Sequence, residues 1–335
     1  MDSIVGHHPP EAGNRSVLLI KPGSMGDVIH ALPVVSAIHR AWPDAGLTWV
    51  VDPRWAPLLA GNPAVSGVRL FPRQEFRGPR GWARAVRWYS SLGGMRPDCV
   101  VDLQGLLRSA LMAKFSRGKL VVGLSDAREG ARFFYRRSAE TLPGEHSVFR
   151  YLRCLPLLGI PVPERPEFFI PPGTPPSLPD GYIVLHPFAR GAGKSMEAGA
   201  IGAFVSEFQA KSKRPLVIVG VGEPPDPLPA GVIDLSRKTS LPGLIGILRG
   251  ASFVVSVDSG PMHLAAAVGV PLLGVHTWSD PRLVGPFNEK AWIWQGGEIR
   301  PQDFGKSPLG LTPFTPESAR EVARFVAGRL SSDSQ

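Results

Sequence analysis

Ser16-Val17-Leu18-Leu19-Ile20-Lys21-Pro22-Gly23-Ser24-Met25-Gly26-Asp27-Val28-Ile29-His30 decides the fold. An apolar run of strand length ends at a basic residue, and a short Gly-rich turn follows. From Asp27 the apolar residues take helical spacing through Ala31, Leu32, Val35 and Ile38. This is the first βα unit of a doubly wound sheet, a fold that binds ligands at the carboxyl ends of its strands. The turn carries a base, Lys21, and an acid, Asp27. Asp is a favoured helix N-cap, so Asp27 reads equally as a cap or as a reactive carboxylate. Gly23 and Gly26 read as tight-turn residues, or as room for a ligand against the backbone.

The same grammar recurs in Val254-Val255-Ser256-Val257-Asp258-Ser259-Gly260-Pro261-Met262-His263-Leu264-Ala265-Ala266-Ala267, again strand, polar turn and helix. Backbone N–H groups of Ser259, Gly260 and their successors at a helix start make an anion site. Asp258 as an N-cap and His263 as an ordinary helix histidine is the competing reading. Between the two motifs, apolar runs alternate with helical patterns. Leu47 to Asp52, Val65 to Leu70, Asp98 to Gly105 and Leu120 to Gly123 read as strands or strand-to-turn segments. Tyr182 to Leu185, Pro215 to Val221, Phe253 to Val257 and Leu272 to His276 continue the series. Helices are expected within Phe71 to Leu92, then at Leu106 to Phe115, around Ala200 to Ser212, at Leu241 to Leu248 and at Met262 to Val268. Such alternation implies parallel βαβ units, and hence an α/β fold. Proline is dense from Leu155 to Asp180, which suits neither helix interior nor central strand and marks a linker.

The expected organisation is therefore a lead-in over 1–15, a Rossmann-like domain over 16–160 and a proline-rich linker over 161–180. A second Rossmann-like domain covers 181–315, and an amphipathic helix closes the chain within 316–335, packing back on the first domain. The lead-in lacks the apolar core of a signal peptide and is read as disordered. No apolar run approaches the roughly 18 residues that span a bilayer. A cytoplasmic protein is expected, at most touching a membrane surface. Cys99 and Cys154 sit in apolar runs without metal spacing and read as core. With 37 Lys and Arg against 28 Asp and Glu, the net charge of +9 calls for an anionic partner. Arginines concentrate at 69, 73, 77, 80, 84 and 87 and at 128, 132, 136 and 137, the first group interleaved with Phe76, Trp82, Trp88 and Tyr89. No zinc-finger, RRM or KH signature accompanies them, which argues against nucleic acid.

Taken together, Lys21 to Pro33, Asp102-Leu103-Gln104-Gly105-Leu106-Leu107-Arg108-Ser109, Asp258 to Ala267 and, more weakly, His276 to Pro281 resemble the ADP-heptose:lipopolysaccharide heptosyltransferases, glycosyltransferase family 9. The branch that adds the first heptose is nearest, and the likeness runs from about Ser16 to Arg329. The resemblance implies a GT-B fold, in which two Rossmann-like domains face a central cleft. It implies an inverting transfer of heptose from ADP-heptose to the Kdo region of lipopolysaccharide, with acceptor in the first domain and donor in the second. Asp27 then takes the proton of the acceptor hydroxyl, and Lys21 holds it ionised. Lys194, Arg190, the amides of Ser259 and Gly260, and His263 face the departing diphosphate, while Asp258 takes sugar hydroxyls. Glu223 stands where the family binds the ribose. Met25, Gly26, Gln104, Arg108, Arg128 and Arg132 fall to the anionic Kdo–lipid A acceptor. With no Asp-x-Asp pair, neither metal nor cofactor is expected. The chain departs from the family in the loop His186-Pro187-Phe188-Ala189-Arg190-Gly191-Ala192-Gly193-Lys194. The lysine is kept, the Trp-Pro pair that usually follows is absent, and Phe188 and Ala189 replace hydroxyl residues. That loop leaves open another nucleotide sugar, or a silent nucleotide-sugar-binding protein. A nicotinamide oxidoreductase is disfavoured, since Gly220-Val221-Gly222 lacks the third glycine of that fingerprint.

Overall fold

Buried apolar strands, Val17 to Ile20 and Cys99 to Asp102 among them, form the middle of a parallel sheet in the first half of the molecule. Continuous burial on both faces is why these strands read as unbroken apolar runs. The computed structural model describes residues 15–332. All but the last residue of the expected lead-in therefore lies outside the described residues.

Two units divide the chain. Unit 1 comprises Met1–Pro143 with Val148–Phe169, and unit 2 Gly144–Ser147 with Ile170–Gln335. In unit 1, β1 (Ser16–Ile20), α1 (Met25–Ala41), β2 (Gly46–Val51), β3 (Gly67–Leu70), α2 (Gly78–Ser91) and β4 (Cys99–Asp102) come first. α3 (Leu107–Phe115), β5 (Leu120–Leu124), β6 (Arg137–Ala139) and α4 (Ser147–Leu152) follow, α4 starting on the last residue of the unit 2 segment. The sheet order is β3-β2-β1-β4-β5-β6, with every neighbouring pair parallel. The order reverses between β1 and β4, where Ile20 pairs with Asp102. That reversal is the ligand-binding position of a doubly wound sheet, and both motif turns of this unit leave from it.

Unit 2 repeats the plan. It contains β7 (Ile183–His186), α5 (Ala198–Lys211), β8 (Leu216–Ile218), β9 (Val232–Asp234), α6 (Leu241–Gly250), β10 (Phe253–Val257) and α7 (Gly260–Ala267). β11 (Leu272–Val275), α8 (Pro281–Val284), β12 (Ala291–Gln295), β13 (Glu298–Pro301) and α9 (Pro316–Ser332) complete it. The order β13-β12-β11-β10-β7-β8-β9 is that of unit 1 with one antiparallel edge strand added. Here the reversal lies between β7 and β10, where His186 pairs with Ser256.

Two local expectations are corrected. α1 begins at Met25 with Ser24 at its N-cap, so Asp27 is the third helical residue and not the cap. α7 begins at Gly260 with Ser259 as cap, which moves Asp258 one residue outside the helix. The closing helix α9 packs on α5 within unit 2. Ala319, Val322, Ala323, Val326, Ala327 and Leu330 recur at helical spacing and share a core with Phe204 and Phe208 of α5. That core fills the stripe which sequence periodicity alone could not assign to a partner. Both cysteines are free and buried. No helix among the described residues is long and apolar enough to cross a membrane.

Candidate active site

At the β1–β4 reversal the Lys21 side chain is 4% exposed, and it ends on the main chain of the neighbouring turn, Nζ donating to the Leu103 carbonyl at 3.2 Å. Its ammonium lies 3.6 Å from Oδ1 of Asp27, whose side chain is 38% exposed. Ser24 holds the other oxygen: its N–H and its hydroxyl donate to Oδ2 at 2.8 and 3.1 Å. This half of a capping box explains why a carboxylate stands on the first turn of α1, and the helix dipole favours it there. A residue that the sequence analysis missed completes the group. Tyr151 of α4 donates its hydroxyl to Oδ1 at 3.0 Å, and its ring carries the Lys21 ammonium at 4.8 Å. Nothing in the local sequence announces it, since 124 residues separate it from Asp27.

Burial pushes the Asp27 carboxyl upward, but the Lys21 charge and the bonds from Ser24 and Tyr151 outweigh it and hold it below the usual carboxylate range. Lys21 is lowered by burial against the opposing pull of Asp27. An ionised carboxylate with one face open to solvent is a competent proton acceptor. Beside it, Asp102 is wholly buried. Its Oδ1 accepts from the N–H groups of Gln104 and Gly105 at 2.9 and 3.2 Å, and its Oδ2 from the Tyr135 hydroxyl at 2.7 Å. Asp102 thus shapes the turn bearing Gln104, while Arg108 on α3 receives the Tyr89 hydroxyl at its carbonyl at 3.1 Å. Met25 and Gly26 are buried in the first turn of α1. Arg128 and Arg132 are exposed, the first just before the short turn over 131–134 and the second within it.

In unit 2, Asp258 and His263 come together, Oδ1 to Nε2 at 3.6 Å, both buried. Asp258 Oδ2 is buried with no hydrogen-bond partner, an acceptor of the kind a sugar hydroxyl satisfies. Ser259 caps α7, and the first turn closes through Met262 N–H to the Ser259 carbonyl at 3.0 Å. The neighbouring strand contributes His186, whose Nδ1 meets Ser256 Oγ at 3.0 Å and Ser259 Oγ at 3.4 Å. Both hydroxyls also lie within hydrogen-bond distance of the Val257 carbonyl, at 2.9 and 3.2 Å. Burial takes His186 down to about 4, leaving it neutral. Lys194 places its ammonium 3.3 Å from the centre of the Trp278 ring, inside the weakly matched His276 to Pro281 turn. Arg190 is exposed on the same loop. Phe188 is buried, and a Cβ at Gly220 would meet its ring at 2.8 Å. Glu223 is 78% exposed and pairs with Arg237 at 2.8 Å.

Two Rossmann-type units, each with candidate site residues at its topological switch, are the make-up of the GT-B fold. The family described as "Glycosyltransferase family 9 (heptosyltransferase)" matches residues 86–169 and 226–307. Lipopolysaccharide heptosyltransferase 1 of Pseudomonas aeruginosa is 31% identical over 295 residues, covering 81% of each chain. Its counterpart in Escherichia coli K12 is 29% identical, over 83% of this chain and 92% of its own. A solved structure of the E. coli heptosyltransferase WaaC with ADP-2-deoxy-2-fluoro heptose superimposes with a TM-score of 0.75 at 25% identity, covering 94% of this chain and 99% of that one. The chain belongs to glycosyltransferase family 9, the heptosyltransferases.

Proposed function

We propose that the enzyme transfers heptose from ADP-heptose to a Kdo residue of the lipopolysaccharide inner core, with unit 1 binding the acceptor and unit 2 the donor. The observation that carries the reaction type is the Lys21–Asp27 pair at the unit 1 switch point. The similarity to heptosyltransferase 1 proteins, and to a WaaC structure holding an ADP-heptose analogue, supports the substrates.

The acceptor hydroxyl oxygen attacks the anomeric carbon as the bond from that carbon to the ADP oxygen breaks, inverting the centre. Asp27 receives the hydroxyl proton, and ADP leaves with the bonding pair. Negative charge grows on the diphosphate, and fixed donors aimed at it lower the barrier, each by roughly 3 kcal/mol in comparable oxyanion sites. Lys194, Arg190, the amides of Ser259 and Gly260, and His263 supply them. Asp258 Oδ2 accepts from the sugar, and Glu223 reaches the ribose. Gln104, Arg108, Arg128 and Arg132, with Met25 and Gly26, hold the acidic acceptor.

The acceptor is lipid-anchored, so the enzyme works as a peripheral protein at an anionic membrane surface. α2 supports this reading. Its inner side gives Trp88 and Tyr89 to the unit 1 core, with Trp88 Nε1 donating to the Leu70 carbonyl at 2.8 Å. Its outer side leaves Trp82 74% and Val86 53% exposed beside Arg80, Arg84 and Arg87. An apolar strip bordered by cations is the pattern of an interfacial helix.

Incubation with ADP-heptose and Kdo–lipid A tests the assignment, with UDP- and GDP-sugars as competing donors. Transfer from the ADP-sugar alone is expected. Transfer from UDP- or GDP-sugars in its place would overturn the donor, and release of no sugar from any would overturn the enzyme reading.

A further inference from the structure

We infer that Tyr151 is a positioning residue for Asp27, fixing which carboxylate oxygen receives the proton and the direction from which it arrives. The inference rests on the reading of Asp27 as the base. Each carboxylate oxygen offers two lone-pair directions. Oδ2 has both in use, with the Ser24 N–H at 2.8 Å and the Ser24 hydroxyl at 3.1 Å. Oδ1 has one, filled by the Tyr151 hydroxyl at 3.0 Å; the Lys21 ammonium, at 3.6 Å, lies beyond hydrogen-bond range. The free lone pair is therefore on Oδ1, the oxygen Tyr151 touches, and that oxygen takes the acceptor's proton.

Tyr151 is itself held. With Val148 and Leu152 it forms the buried side of α4, and it is 2% exposed. The Arg150 guanidinium lies 5.5 Å from its ring and is fixed by two bonds to Asp126 at 2.9 and 2.7 Å. The charged groups acting on this carboxylate and phenol are Lys21 after β1, Asp126 after β5 and Arg150 on α4, while Asp102 at the end of β4 and Arg150 act on Lys21 itself. Burial and the adjacent Asp27 charge raise the Tyr151 phenol well above its usual range, so it remains a donor throughout the working pH range. Lys21 adds charge without direction, whereas Tyr151 adds direction. With the Ser24 bonds holding Oδ2, loss of the phenol hydroxyl leaves two open lone-pair directions on Oδ1 in place of one, so the arriving proton is no longer steered to the productive one, and misplacement of this kind costs rate rather than affinity.

The test compares Tyr151→Phe and Tyr151→Leu with wild type in steady-state transfer from ADP-heptose to Kdo–lipid A, as a function of pH. Rates are normalised at each pH to the folded fraction read by circular dichroism, so partial unfolding does not mimic the effect. Tyr151→Phe keeps the ring beneath Lys21 and removes only the hydroxyl. We expect its kcat to fall about tenfold, or about 1.4 kcal/mol, with both KM values near wild type. Its rate should also begin to drop at higher pH than that of wild type, because the carboxyl loses a bond that favours its ionised form. Recovery of wild-type kcat and pH profile in Tyr151→Phe, with loss confined to Tyr151→Leu, would make the role one of ring packing and overturn the inference. Asp27→Asn run in parallel separates the two claims. If that variant turns over, the base reading fails; if it is dead while Tyr151→Phe is unaffected, only the positioning role fails.

Discussion

Lys21, Asp27, Asp258 and His263 were legible from residue chemistry because each pair lies within one βα turn, where spacing and geometry are nearly the same thing. Tyr151 was not, because no local rule links α4 to the first turn of α1. Asp102 was quoted as part of a motif, yet its work is internal, holding the turn that bears Gln104. Buried histidines form another group with consequences. His186 and His276 are lowered by burial to about 4, and His146, packed between Phe287 and Phe304, to about 3. All three belong to unit 2. Each is neutral when folded but protonates near pH 6.5 when unfolded, so stability is full above that value and falls as pH drops toward about 4. A shift from 6.5 to about 4 corresponds to a loss on the order of 3 kcal/mol per histidine at the acid end. The melting temperature should therefore drop steeply on acidification below pH 6.5, and less so in His276→Gln. A melting temperature unchanged down to about pH 5 would contradict this account.

At the scale of elements, the central strands β1, β4, β7 and β10 were legible, and so was the edge strand β3, read as Val65 to Leu70, whereas the edge strands β6, β9 and β13 were not. β1, β4, β7 and β10 are buried on both faces, so their composition alone marks them. β6 and β9 are short and only partly buried, and tertiary pairing rather than composition makes them strands. The β12–β13 hairpin carries its signal in the sequence itself. Gly296 and Gly297 link Ala291–Gln295 to Glu298–Pro301, with φ of +63° and +86°, the left-handed pair that a two-residue hairpin turn requires. α2 shows how structure divides what periodicity merges: Trp82, Val86 and Tyr89 share helical spacing, yet Trp82 and Val86 are exposed while Tyr89 packs against the core. Replacing the outer pair, Trp82→Ser with Val86→Ser, should leave the melting temperature within about 1 kcal/mol-equivalent of wild type, as expected for exposed sites. The same variant should sediment markedly less with phosphatidylglycerol vesicles, and neither form should bind phosphatidylcholine vesicles. Equal sedimentation of variant and wild type on anionic vesicles would remove α2 from the membrane contact.

For the whole molecule, one topology used twice is the organising fact, and both units place their chemistry where strand order reverses. The alternation of strands and helices made that plan readable, as did the proline-dense stretch, in which the structure has neither helix nor strand over 161–180. The destination of α9 was unreadable, because an apolar helix stripe specifies burial but not a partner. The account as a whole depends on Asp27 acting as the base in heptosyl transfer. Asn keeps the shape of that side chain and the acceptor oxygen facing Ser24, but cannot take up a proton at neutral pH. The most direct measurement is the turnover of purified Asp27→Asn with ADP-heptose and Kdo–lipid A, alongside its thermal stabilisation by ADP-heptose. Loss of transfer by at least about a hundredfold, with donor stabilisation equal to wild type, is predicted; turnover within a few-fold of wild type would contradict the account.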